Sequence, residues 1–306
     1  MPLHAFDQLF QDADALAQLL PVAVAGGADR SVLEALRIAC DRGWVRPVVT
    51  GEEREVRRIA AECAVSLQGF TILDAADAAA SAVALVRRKE ARMLMKGHVS
   101  TPALMKAVLD PVVGLRIGRV ICQIVLMEIR STGRRFLLAD TGICIQPTVE
   151  QKCDILRGTV EVAHALGEAV PRVAVLAATE AVVEAMPETL DAAELQRRGQ
   201  AREFPGCTVQ GPLSFDLAYA AEAGSKKSVQ GTVVGAADAL LFPNLATANL
   251  TVKAIMYTAD CRFGGILYGA VCPVAFMSRA DTPATRLHSL ALAIRLASAK
   301  RLKTEV

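Results

Sequence analysis

From residue 21 onward, short apolar runs alternate with amphipathic stretches. PVAVAGGADRSVLEALRIACDRG reads as a strand, a glycine turn and a helix whose Ser31 and Glu34 fit a capping box. WVRPVVTG before EEREVRRIAAEC, GFTILDAA before DAAASAVALVRRKE, and RMLMKGHVS before TPALMKAVL repeat the unit by pattern although not by sequence. Such alternation predicts a mostly parallel sheet covered by helices. In GRVICQIVLMEIRSTGRRFLLAD two strand-like runs are separated only by a Ser-Thr-Gly turn, which predicts an antiparallel pair and a domain boundary nearby. Beyond it the rhythm resumes with the helix-like TVEQKCDILRGTVEVAHALG, the strand RVAVLAAT, a charged helix to about Arg198, then GPLSFDLAYAAEA, ADALLFPN, a helix through Lys253 and GGILYGAVCPVAF. The expected organisation is α/β throughout: residues 1–138 plus 283–306 as a first domain and 139–282 as a second.

The longest uncharged interval, the 16 residues from Phe263 to Ser278, holds Gly264, Gly265, Gly269 and Pro273, so it is too short and too interrupted for a membrane helix and predicts a buried strand. From Asp281 to Lys300, Leu287, Leu290, Ala291, Ile294 and Ala297 recur at helical spacing, with Asp281 or Thr282 as N-cap and Pro283 in the first turn. The 306 residues carry 34 Lys and Arg against 32 Asp and Glu, a formal charge of +2, which excludes a broad electrostatic grip on nucleic acid or an anionic membrane. Any anion site must therefore be local. The opening MPLHAFDQLFQDAD has early acids and no basic-then-apolar order, so the expectation is a cytoplasmic protein without a secretory signal or transit peptide. Eight cysteines at irregular spacing, with no C-x-x-C and no histidine to complete a zinc set, read mostly as core thiols, and no metal is expected.

Three strand-to-helix junctions carry candidate chemistry. In Lys96-Gly97-His98-Val99-Ser100-Thr101-Pro102 a strand ends in a cation and a glycine, and hydroxyls precede a helix start whose amides attract anions; the same residues equally fit a capped turn with no ligand. In Met277-Ser278-Arg279-Ala280-Asp281-Thr282-Pro283 an apolar strand empties into a hydroxyl, a guanidinium and a carboxylate. Arg279 suits a phosphate, Ser278 can donate to it and Asp281 can accept a proton, while an Arg-Asp pair beside a cap also reads as a structural salt bridge. In the segment from Pro243 to Lys253, Asn249 and Lys253 fall one turn apart on a helix that follows Asn244. Glu180, Glu184 and Glu188 sit four apart, but Pro187 interrupts them and they are assigned no catalysis. No Ser-His-acid set follows from spacing, and no P-loop or three-glycine dinucleotide motif occurs.

At these junctions the chain resembles the phosphate acetyltransferase and phosphate butyryltransferase family over nearly its whole length, the butyryltransferase branch more closely. The resemblance is carried by KGHVSTPALMKAVLD from Lys96, DTGICIQPTVEQKCDI from Asp140, PRVAVLAATE from Pro171, GPLSFDLAYAAEAGSKK from Gly211, ADALLFPNLATANLTVKAIMY and YGAVCPVAFMSRADTPATRLHSLALA. It implies reversible acyl transfer between coenzyme A and inorganic phosphate, in a cleft between two α/β domains of isocitrate/isopropylmalate dehydrogenase-like architecture. It further implies a homodimer, CoA as substrate and no cofactor. Ser278 and Arg279 would bind phosphate or the reacting carbonyl oxygen, and Lys96, Ser100, Thr101, Asn244, Asn249 and Lys253 would bind substrate.

Departures from the family pattern are local. Thr285 stands where the acetyltransferase branch keeps an acid as base for the CoA thiol, so Asp281 is the nearest substitute. Lys106 is the cation nearest to the place of an absent arginine, Ala248 replaces a turn glycine, and Asp140-Thr141 replaces an Asp-Cys or Asp-Ala. A catalytically weak paralogue that binds CoA or acyl phosphate for regulation is the alternative. A metal-dependent decarboxylating dehydrogenase is disfavoured, since the second half shows no aspartate pair at four-residue spacing.

Overall fold

The structure, a computed structural model, describes residues 2–276, 278 and 280–304. In chain order the elements are α1 (Phe6–Asp14), β1 (Leu20–Ala25), α2 (Arg30–Asp41), β2 (Val45–Gly51), α3 (Glu53–Glu62), β3 (Thr71–Asp74), α4 (Ala78–Arg87), β4 (Met93–Lys96) and α5 (Thr101–Leu109). Next come β5 (Cys122–Ile129), β6 (Arg134–Ala139), α6 (Val149–Ala165), β7 (Arg172–Leu176), α7 (Pro187–Gln200), β8 (Thr208–Leu213), α8 (Phe215–Tyr219) and α9 (Ala221–Lys227). The chain ends with β9 (Ala239–Leu241), α10 (Leu245–Thr258), β10 (Cys261–Tyr268), β11 (Val274–Ala275) and α11 (Pro283–Thr304). Among the described residues no helix is long and apolar enough to cross a membrane.

Two compact units divide the chain: Phe6–Ile121 with Phe263–Val306, and Met1–Ala5 with Cys122–Arg262. These limits differ from the expected 1–138 plus 283–306 and 139–282. Backbone pairing is the reason. The hairpin β5–β6 is antiparallel from Ile124↔Ala139 to Ile129↔Arg134, and β6 continues in parallel with β9, so β5 belongs with the later strands. β11 pairs in parallel with β4, Val274↔Leu94 and Ala275↔Met95, so 263–282 belongs with the first β-α repeats.

In the first unit the strands run β3-β2-β1-β4-β11-β10, and only β10 and β11 are antiparallel neighbours. β4 is buried at every position and β1 nearly so, as the inner strands of a sheet covered on both faces must be. α2 buries Val32, Leu33, Leu36 and Ala39, and α11 buries Leu287, Leu290, Ala291, Ile294 and Ala297, the stripe expected from spacing. The expected single strand over Phe263–Ser278 is two strands. Gly269, at φ +93, turns the chain between them, and a Cβ there would lie 2.2 Å from the Val120 carbonyl oxygen. The second unit orders its strands β5-β6-β9-β7-β8, with α6 opened by a capping box between Thr148 and Gln151.

Caps differ in detail from expectation. The N-cap of α2 is Asp29, which accepts from the Val32 amide at 3.0 Å; Ser31 donates its hydroxyl to Asp29, and Glu34 pairs with Arg30. Thr282 accepts from the Thr285 amide at 3.2 Å and begins α11. α7 starts at Pro187, so Glu188 lies in its first turn while Glu180 and Glu184 precede it. Cys122, Cys153 and Cys272 are buried, and the other five cysteines are partly exposed rather than core thiols.

Candidate active site

The order β2-β1-β4-β11 makes β1 and β4 a switch point, because the chain moves outward from β1 through β2 to β3 and then returns to the other side of β1. Connections leave such strands in opposite directions and open a crevice at their carboxyl ends. The two loops there touch: the Gly97 amide donates to Ala25 at 3.0 Å and the His98 amide to Gly26 at 2.6 Å. A Cβ on Gly97 would lie 1.9 Å from the Gly26 oxygen, so only glycine permits the approach. A cavity of about 820 Å³ opens here, bounded by Gly27, Glu52, Asp74, Asp77, His98 and Ser100 among others. Its carboxylates oppose the helix starts around it, so it is a poor cradle for a phosphate.

Lys96 ends β4 and is 1% exposed. Ser100 is the N-cap of α5, accepting from the Ala103 amide at 3.2 Å, and Thr101 opens that helix. One strand further along, β11 leads to Ser278. Its amide donates to Asp281 Oδ2 at 2.8 Å, its hydroxyl accepts from the Ala280 amide at 3.3 Å and its carbonyl accepts from the Asp281 amide at 3.3 Å. Lys96, Ser100, Thr101, Ser278 and Asp281 therefore leave the same edge of one sheet on neighbouring strands. Arg279, expected to bind phosphate, lies outside the described residues. Thr285 is buried, its hydroxyl 3.1 Å from that of Thr282, so it serves the helix start.

The sequence alone did not single out Arg286, which is 1% exposed in the first turns of α11. Its Nε donates to Ser31 Oγ at 2.8 Å and its Nη2 to the Ser278 carbonyl at 3.3 Å. Burial pulls its pKa below the usual guanidinium value, against the attraction of Asp29 and Asp281. For Asp29 burial acts upward, but hydrogen bonds from Ser31 and Val32 and the charges of Arg286 and His98 outweigh it, leaving the carboxyl below its ordinary range. His98 Nδ1 lies 3.6 Å from Asp29 Oδ2. A signal was present: Arg286 sits four and eight residues before Leu290 and Ile294, on the apolar stripe of its helix.

In the second unit Asn244 caps α10, accepting from the Thr247 amide at 3.0 Å. Asn249 donates to the Thr141 carbonyl at 3.3 Å, and Lys253 is exposed one turn later. Asp140, noted from sequence only as half of the Asp140-Thr141 pair and given no role there, has a carboxylate that accepts from the amides of Gln123, Gly142, Ile143 and Cys144 and shapes the loop after β6. Burial and that carboxylate push the Cys144 thiol up to about 12, and burial pushes those of Cys40 and Cys207 up to about 11.

Fold and site together define the class: an α/β enzyme with its polar groups gathered at the carboxyl ends of parallel strands. The profile of the family described as phosphate acetyl/butaryl transferase matches residues 75–294, and the chain belongs to that family. A phosphate butyryltransferase of Clostridium acetobutylicum is 38% identical over 286 residues, 92% of this chain and 95% of that one. A phosphate acetyltransferase of Thermotoga maritima is 37% identical over 273 residues, 89% of this chain and 93% of its own length. The crystal structure of a branched-chain phosphotransacylase from Enterococcus faecalis V583 superposes with a TM-score of 0.80 at 28% identity, covering 91% of this chain and 99% of that one.

Asp29→Asn keeps a side-chain acceptor for the α2 cap and removes only the charge. The wild type should exceed the variant in unfolding free energy by about 1.5–3 kcal/mol at neutral pH, the scale of hydrogen bonds to a charged group. Because the folded carboxyl titrates below its unfolded value, this margin is complete above about pH 4 and closes as the pH falls through the folded value. Urea titrations of both proteins between pH 3 and 7 check it; a margin that does not change with pH would contradict it.

Proposed function

We propose that this chain catalyses the reversible transfer of a short acyl group between coenzyme A and inorganic phosphate, acyl-CoA and phosphate giving acyl phosphate and free CoA. The observation that carries this reading is full-length similarity to enzymes named for that chemistry, at 38% and 37% identity. Butyryl- and acetyl-transferring relatives are equally similar, so both acyl groups are expected as substrates.

A phosphate oxygen attacks the thioester carbonyl, a tetrahedral state forms, and the carbon–sulfur bond breaks as the acyl phosphate is made. Ser278 and Arg279 are the proposed partners of phosphate and of the developing oxyanion, where charge-assisted contacts gain most. Lys96, Ser100, Thr101, Asn244, Asn249 and Lys253 are proposed to bind substrate. CoA is a substrate here rather than a cofactor, and a cytoplasmic homodimer remains part of the proposal.

Transfer is direct. The Ser278 hydroxyl accepts from the Ala280 amide, a contact that shapes the turn and suits a group that binds substrate. The raised pKa values of Cys40, Cys144 and Cys207 argue against those thiols as acyl carriers. Asp281 is the proposed base for the CoA thiol in the reverse direction. One observation favours the regulatory alternative, the engagement of Thr285 in the helix start where an acid is expected.

Purified protein should release CoA from acetyl-CoA and butyryl-CoA only when phosphate is added. No release at millimolar phosphate would hand the chain to the regulatory reading. Asp281→Asn retains an acceptor for the Ser278 amide and so isolates the proton-accepting role. Turnover from free CoA and acyl phosphate should fall by about 10²-fold, the usual scale of a general base, and recover as the pH approaches the thiol value of about 8.5. A pH profile parallel to the wild type would remove Asp281 from the proton transfer.

A further inference from the structure

Arg286 links two loops that sequence places far apart. Its Nε holds Ser31 in the first turn of α2, and its Nη2 holds the carbonyl of Ser278 beyond β11. Ser31 in turn donates to Asp29 at 2.6 Å, and Asp281 accepts from the amide of Ser278. Ser278 is thus gripped at its carbonyl by a group anchored on α2 and at its amide by Asp281. The remaining Nη1 is buried and has no hydrogen-bond partner among the described residues.

Packing alone does not explain this side chain. Replacing a buried ion pair by apolar residues of similar volume is often neutral or stabilising, and the stripe that Arg286 occupies continues as Leu290 and Ile294. A guanidinium kept there, with one donor unused, fits a need for geometry more than for stability. Its planar fork presents donors along separate edges at fixed spacing, which a single ammonium on a flexible stem does not.

We propose that Arg286 is a positioning residue for acyl transfer, which sets the Ser278–Asp281 turn against the start of α2 so that the Ser278 hydroxyl and Asp281 carboxylate meet the reacting groups. This rests on the reading of Ser278 and Asp281 as members of the active site. A displacement of about 1 Å in such a group lowers turnover by about 10²-fold, so loss of one of two anchors has a measurable effect.

The test uses the full-length protein with butyryl-CoA and phosphate and compares Arg286→Lys, Ser31→Ala, the double variant and Ser278→Ala. Arg286→Lys should lower kcat about tenfold or more, with both KM values within about threefold of wild type, the pattern of an interaction needed in the transition state. Ser31→Ala, which keeps the guanidinium and its charge, should lower kcat severalfold. In the double variant the two losses should fail to multiply, because both release the same clamp. Wild-type kcat in Ser31→Ala and Arg286→Lys, or losses that multiply, would overturn the proposal. If Arg286→Lys does not fold, Ser31→Ala decides alone: wild-type kcat overturns it. Ser278→Ala separates the two levels. Full activity there removes the active-site reading and this inference with it, whereas a collapse confined to Ser278→Ala removes only the role of Arg286.

Discussion

A guanidinium almost wholly withdrawn from water has to be answered by charge and by hydrogen bonds, and at Arg286 the answer comes from two directions. Asp29 and Asp281 supply the charge, and Ser31 and the Ser278 carbonyl supply the acceptors. That requirement fixes the loop after β1 relative to the turn after β11. β4 lies between those strands, and the contact of Gly97 with Gly26 fixes its loop as well. Lys96, Ser100, Ser278 and Asp281 thus owe their common placement to one buried charge and one pair of glycines.

Much of this was readable from sequence because inner parallel strands are apolar on both faces and the covering helices are apolar on one. β1 to β4 and their helices, the β5–β6 hairpin and the stripe of α11 all follow from that contrast. What escaped depends on geometry that no periodicity records. An uncharged run does not say where it folds back, so β10 and β11 read as one strand until Gly269 is seen to turn the chain. Asp29 and Ser31 are both acceptable caps, and the extended backbone at Asp29, φ −154 and ψ 133, decides between them. The division into units followed pairings between distant strands, which local pattern does not contain.

The candidate site was legible to the extent that its residues cluster in sequence. Ser278 and Asp281 were found because they are neighbours in a junction, and Lys96 and Ser100 for the same reason. Arg286 was not, because its partners Asp29 and Ser31 lie more than 250 residues away. A charge on an apolar stripe was the only trace of it. In the proposed direct transfer, the rate would come from how two substrates and the polar groups around them are held.

Direct transfer between the two substrates is the central claim, and isotope exchange tests it most directly. Labelled CoA is incubated with unlabelled butyryl-CoA and the protein, with and without phosphate, and label entering butyryl-CoA is followed. Direct transfer predicts no exchange until phosphate is supplied, because the acyl group can leave CoA only for a phosphate oxygen. Exchange at a comparable rate without phosphate would mean that the acyl group rests on a protein side chain, and would contradict the mechanism.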